Sequence, residues 1–321
     1  MVGLLRGRII MLIMVLQAIS FPYIRVILGV PDTNETLSIT LNAIGTGSSV
    51  SDLNGATVTV TNEDTTETIL STTWSGLVIT VKIPMSTNYS VTVGNVSGYI
   101  TPSSQTYYSS YMGLNDVVFN YASSIGFYIS DLDKNLYTAE TWQAAISAGK
   151  VTVNSALGVA VFTSTQQFII NPNTQACQFG PDSARYTDVT NPPKFTSPDA
   201  AATDFNGKSN TNTWTSVYSG NYAANIAKSF RFPDNRTGGY IPAGGQMMIF
   251  IQNRSTIYNL FNLFTSQLNN TQYYWTSTNW GYVTDSGSVR IYSSYVYDYN
   301  SLYYFRIFDA VNLMVIRDWN D

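Results

Sequence analysis

Asp131 and Asp133, two carboxylates two residues apart, come nearest in this chain to a pattern with catalytic chemistry, because a glycosidic bond can be cleaved by two Asp or Glu side chains alone. Period two along a strand, or a polar turn, explains the spacing equally well. Other common catalytic apparatus lacks its parts. With 0 His there is no Ser-His-Asp triad, no Cys-His pair and none of the usual His-based zinc sites. The 1 Cys, Cys177, allows no intrachain disulfide and no Cys cluster, and reads as a half-buried, inert thiol. No metal and no cofactor is called for, and the expectation is a protein without catalytic activity.

A second pattern carries the chemistry of recognition. The stretch Tyr274-Trp275-Thr276-Ser277-Thr278-Asn279-Trp280-Gly281-Tyr282 is followed by Tyr292, Ser293, Ser294, Tyr295, Tyr297, Asp298, Tyr299, Asn300, Ser301, Tyr303 and Tyr304. Tyrosine gives wide, rigid contact area with a polar tip, while Ser and Asn give adaptable hydrogen bonds, which is the residue mix of a binding surface. The same mix suits a subunit interface or a packed sheet with a solvated loop, and all three readings stay open at this level.

The charge balance narrows the partners. Lys+Arg number 16 and Asp+Glu 20, and charged residues are 11% of the chain, against about 25% in an ordinary soluble domain. Ser, Thr, Asn and Tyr must therefore cover the surface. This composition argues against nucleic acid as a partner, since a phosphate backbone is held by clustered cations and none cluster here beyond Arg6 and Arg8.

Three segments position these residues. Residues 1–35 hold Arg6 and Arg8 ahead of the apolar run Ile9 to Leu16, which fits a docking arm buried against a partner, a leader peptide, or a membrane anchor. Residues 36–121 show period-two strands with turn signals about every ten residues, predicting a small β-sandwich with almost no helix.

Residues 122–321 predict an α+β part. A strand at Gly126 to Ile129 precedes a helix capped by Thr138, and a hairpin joins Gly158–Phe162 to Phe168–Ile170. The aperiodic, Asn/Thr/Pro-rich residues 171–215 predict a long surface loop. A helix is expected from Gly244 and another, capped by Ser255, with the stripe Ile257, Leu260, Phe261, Phe264, Leu268; Tyr303–Phe308 and Val311–Ile316 read as a terminal strand pair.

Two resemblances add to this reading. Ala56-Thr57-Val58-Thr59-Val60-Thr61-Asn62, Val81-Lys82-Ile83-Pro84, Tyr89-Ser90-Val91-Thr92-Val93 and Gly98-Tyr99-Ile100-Thr101-Pro102 resemble the Ig-like modules of Bacteroidales surface and phage proteins, which act as spacers or attachment elements. Gly126-Phe127-Tyr128-Ile129, Gly158-Val159-Ala160-Val161, Phe232-Pro233, Gly239-Tyr240-Ile241-Pro242-Ala243, Tyr274-Trp275-Thr276-Ser277-Thr278 and Tyr304-Phe305-Arg306 resemble the C-type-lectin-like domains related to the formylglycine-generating enzyme, of the major paralogous and variable-protein type. That likeness implies that Trp275, Thr276, Ser277 and Thr278 are scaffold and that Arg306 closes the fold. It implies a displayed face from Asn279 to Asn300, with Asn279, Tyr282, Tyr292, Tyr295, Tyr297, Tyr299 and Asn300 meeting the ligand. The catalytic thiols of the enzymatic branch and a Glu-Pro-Asn sugar motif are both missing from the sequence.

The fold expected is thus mainly β, an Ig-like sandwich followed by a C-type-lectin-like α+β domain. The function expected is a non-enzymatic virion surface or fibre protein of a phage, attached at head or tail. It would dock to other virion proteins through residues 1–35, form a homo-oligomer such as a trimer, and adhere to a host surface glycan or protein. An exported adhesin on the bacterial cell surface and a purely structural virion decoration protein are the alternatives.

Overall fold

Residues 34–109, 116–181, 194–265, 273–280, 290–295, 302–306 and 310–321 are described by the structure, a computed structural model. The arm proposed for residues 1–35 lies outside the described residues, apart from Asn34 and Glu35, which begin the first strand.

Alternation of apolar and polar residues turns the first segment into strands with one buried face each. These are β1 (Asn34–Ile44), β2 (Thr57–Asn62), β3 (Thr68–Thr73), β4 (Ile79–Pro84), β5 (Asn88–Val93), β6 (Tyr99–Ile100), β7 (Gln105–Tyr108) and β8 (Asp116–Ser123). They form two four-stranded sheets, ordered β4-β1-β8-β6 and β3-β2-β5-β7. Leu37, Ile39 and Leu41 of one sheet share a core with Val58, Val60 and Val91 of the other. Among the described residues of this segment the helical part is a single 3-10 turn, Val50–Leu53. Strand β8 pairs with β1 in parallel, so the last strand of the unit returns beside the first.

The second segment has a different burial pattern. Its elements are β9 (Gly126–Asp131), β10 (Leu136–Tyr137), α1 (Ala139–Ser147), β11 (Ala156–Phe162), β12 (Gln167–Cys177), β13 (Lys194–Phe195), α2 (Pro198–Ala201), α3 (Gly207–Val217), α4 (Ala223–Ser229), α5 (Gly244–Gln252), α6 (Arg254–Phe261), β14 (Tyr273–Trp280), β15 (Arg290–Tyr295), β16 (Leu302–Arg306) and β17 (Val311–Asp318). The strands form one nine-stranded sheet along β10-β9-β11-β12-β17-β14-β15-β16, with β13 also on β14.

Helices cover both faces of this sheet, which is why β11 is buried at every position and reads as an unbroken apolar run. Val159, Val161 and Ile316 face a core with Met247 and Phe250 of α5 and Ile257 of α6. Ala160, Phe162 and Val315 face the opposite core, with Trp214 of α3 and Ile226 of α4. The molecule is therefore a mixed α+β fold of three sheets, with its helices concentrated toward the C-terminal half.

The two segments join through a shared core, since Ile44 and Ala122 pack with Tyr128 and Leu157. Gly45 sits at this junction with φ +106, and a Cβ there would collide with the Tyr128 hydroxyl.

Three sequence expectations need correction. Residues 171–215 are not one surface loop: β12 continues to Cys177, and α2 and α3 occupy the later part. The last two strands are not a pair, because β16 pairs with β15 while β17 lies between β12 and β14. Helix α6 begins at Arg254 with Asn253 as its cap residue, where Ser255 was expected. Cys177 is 8% exposed, and burial pushes its thiol up to about 12, so its reactive thiolate is scarce at neutral pH.

Candidate functional site

Strand β14 carries Thr276-Ser277-Thr278-Asn279, a run of polar residues that are all 0% exposed. Buried polar groups are costly unless hydrogen-bonded, so a polar strand in a core implies a built network. At its centre is Asp204, 3% exposed, in the turn before α3. One carboxylate oxygen accepts from the Asn206 backbone N–H (3.0 Å) and side-chain amide (3.2 Å). The other accepts from the Asn210 amide (2.7 Å) and the Thr278 hydroxyl (2.7 Å). Thr278 Oγ1 in turn accepts from Gly244 N (2.7 Å). Helix α5 has Ala243 where a capping side chain would stand, so β14 supplies the cap from across the sheet.

The ladder between β14 and β15 slips here. Trp275 is opposite Ser293 and Asn279 is opposite Ile291, so four steps along β14 match two along β15. Such an irregularity frees backbone groups from the ladder. Ser277 N donates to Pro242 O (2.8 Å), and Ser277 O accepts from Trp214 Nε1 (2.8 Å). Trp275 is fully buried, donates through Nε1 to Cys177 O (2.9 Å) and lies edge-on to Phe179 at 5.4 Å. Side chains of α3 and of the turn before it, with backbone groups at the start of α5, thus clamp one strand.

The residues expected to meet a ligand fall in three places. Asn279 is on β14 with 0% exposure, so it belongs to the buried strand and not to an open face. Tyr292 and Tyr295 are on β15, opposite Tyr304 and Tyr273. Tyr282, Tyr297, Tyr299 and Asn300 lie outside the described residues. Of the residues expected to be scaffold, Trp275, Thr276, Ser277 and Thr278 are all buried on β14, and Arg306 ends β16 opposite Arg290.

No family model and no curated protein matches the chain. Among solved structures, the Bacillus anthracis TIE protein is similar over 33% of this chain and 24% of its own, at 13% identity and a TM-score of 0.23. A likeness of that size carries no argument about fold or function.

Of the paired carboxylates, Asp131 has a structural occupation. Asp131 is 5% exposed. Its Oδ1 accepts from Asp133 N (3.0 Å) and Asn135 N (2.8 Å), and its Oδ2 from Asn135 Nδ2 (3.0 Å) and Tyr137 Oη (3.0 Å). A carboxylate offers about four lone-pair sites, and all are filled by its own turn. Burial raises its pKa above the usual carboxylate value, while the hydrogen bonds from Asn135 and Tyr137 pull the other way. Among the described residues, no group of three or more His, Cys, Asp or Glu side chains could hold a metal ion. No helix among them is long and apolar enough to cross a membrane.

Sequence reasoning missed Asp204, Asn210, Trp214 and Arg317. A signal for the first three existed in Gly207, Asn210, Thr211 and Trp214, which recur at three- and four-residue spacing and form the buried stripe of α3. Only Trp214 of that stripe is a large apolar residue, so hydrophobic periodicity does not register it.

Proposed function

We propose that the chain is a non-catalytic recognition protein whose tyrosine-dense segment, from Tyr282 to Tyr304, contacts a host surface glycan or protein. The observation that supports this most is the clamped strand β14, from which that segment leaves. Binding residues act best when a rigid element holds their ends, and residues 276–279 are fully buried and tied to two helices. Strands β15 and β16 then end the nine-stranded sheet, where a sheet presents an edge.

In the same proposal the first segment is an Ig-like spacer, the second is C-type-lectin-like, and the protein is carried on a virion surface as a homo-oligomer docked through residues 1–35. The sequence resemblances and the charge-poor composition support that setting. The same domains would suit an exported bacterial adhesin.

Replacing Tyr295, Tyr297 and Tyr299 together by Ser is expected to lower adsorption of the purified protein to host cells at least tenfold while thermal unfolding stays within about 1 kcal/mol. Normal adsorption by the triple variant, or its failure to assemble, would remove the recognition role.

A further inference from the structure

Between the two segments lies a groove of about 510 Å³, within the range of small-ligand sites, and no described residue of the tyrosine segment lines it. One wall is the β1–β8 surface with Gln105 of β7; the other is the Asp131–Asn135 turn and the outer face of α1. The walls are tied together. Lys150 Nζ meets Asp116 Oδ2 at 3.3 Å across the groove, and the Asn120 amide donates to Leu136 O at 3.3 Å. The groove therefore exists before any ligand arrives.

Asn42, Gln105, Asp116 and Asp133 in its lining keep acceptor capacity to spare. The Asn42 amide donates to Asn120 Oδ1 (3.3 Å), and the Gln105 amide donates to Val118 O (2.8 Å). Both bonds use the nitrogen ends, so the amide oxygens Asn42 Oδ1 and Gln105 Oε1 accept nothing among the described residues. The Asp133 carboxylate and Asp116 Oδ1 likewise accept no hydrogen bond there, whereas Asp131 is saturated by its own turn. Ala144 and Ala145 of α1 and Ala148, which caps its end, supply a smooth apolar strip beside these acceptors.

We infer that this groove binds a neutral saccharide. Sugar hydroxyls donate to carboxylate and amide oxygens, and the apolar C–H face of a pyranose ring lies flat on a strip of small side chains. Three Asp against one Lys in the lining disfavour sialylated, sulfated or uronic sugars. The acceptors are spread over two walls and do not converge as a cation site requires. A basic peptide would meet the Lys150 ammonium and has no use for the alanine strip. This inference is independent of the role given to the tyrosine segment.

The test is a printed array of neutral and acidic oligosaccharides probed with the full chain, followed by titration of the best neutral one. Two variants are compared: Ala145→Trp, which fills the groove from a half-buried helix position, and Asp133→Ala, which removes an acceptor from an exposed turn. Binding to neutral glycans is expected, unaffected by EDTA, at least tenfold weaker in both variants and unchanged in the triple tyrosine variant. No neutral glycan bound, wild-type binding by either folded variant, loss of binding in EDTA, or salt-sensitive capture of an oligo-arginine peptide in place of glycans would each overturn it. If Ala145→Trp fails to fold, Asp133→Ala decides alone.

Discussion

Asp234→Ala is expected to lower the unfolding free energy by about 3–5 kcal/mol, the range for breaking a buried ion pair from one side. Arg317 on β17 is 2% exposed, and its guanidinium donates to Asp234 from both terminal nitrogens, Nη2 at 2.7 Å and Nη1 at 3.3 Å. The Phe232 ring lies 4.4 Å beneath it. Arginine does not deprotonate in proteins, so without Asp234 a full charge stays buried with no counter-ion. Asp234→Asn keeps an acceptor and should lose less.

Acid is expected to act through the same pair. Burial alone raises the Asp234 pKa, but the hydrogen bond from Arg317, that from the Arg236 backbone N–H, and both positive charges hold it below the usual range. A carboxylate with a depressed folded pKa stabilises the fold above its unfolded value, about 3.9, and that stabilisation is lost as pH falls through the folded value. Urea titrations of wild type and Asp234→Ala at pH 7 and pH 3 should therefore converge toward acid. A loss under about 1 kcal/mol at pH 7 would mean that water or a neighbour takes over the guanidinium.

Trp275→Ala carries the second large effect, about 3–5 kcal/mol, because removing a buried Trp forfeits transfer energy and leaves a cavity. Its ring is fully buried in the core beside Phe179, and its Nε1 is the donor to Cys177 O. Trp275→Phe keeps most of the packing and loses the hydrogen bond, so about 1–2 kcal/mol is expected. In the proposed function β14 also supports the tyrosine segment, so adsorption by Trp275→Phe should weaken even at temperatures where the protein stays folded. Unfolding of Trp275→Ala within about 1 kcal/mol of wild type would contradict the clamped-strand account.

The parts of the fold legible from sequence are those whose burial is written in apolar residues. Leu37, Ile39 and Leu41 announce β1 by alternation, Val159 to Phe162 announce a strand buried on both faces, and Ile257, Leu260 and Phe261 announce α6. Helix α3 is illegible by that rule because Asn210 and Thr211 fill its buried face and are held by Asp204 and by Ile241 N. The position of β17 was hidden for another reason. It takes its place between β12 and β14, far from its sequence neighbour β16, and no local pattern encodes a non-sequential partner. At the candidate site, Trp275 to Thr278 stood out by composition, yet Asn279 was placed on the display side because a lone Asn gives no sign of whether its partners are water or protein.

The parallel pairing of β1 and β8 also governs how the first segment carries force. Their register runs through seven residue pairs, from Ser38–Asp116 to Ile44–Ala122. In a parallel pair the entry of one strand and the exit of the other lie at opposite ends. A pull applied at Asn34 and at Ser123 is therefore directed along the strands, and the seven pairs resist it together in shear where an antiparallel hairpin would unzip bond by bond. Such a segment behaves as a stiff tether between whatever precedes it and the unit that follows. Stretched between those two points in a force spectrometer, it should give way in one abrupt rupture, and a gradual lengthening would mean that the ladder does not bear the load.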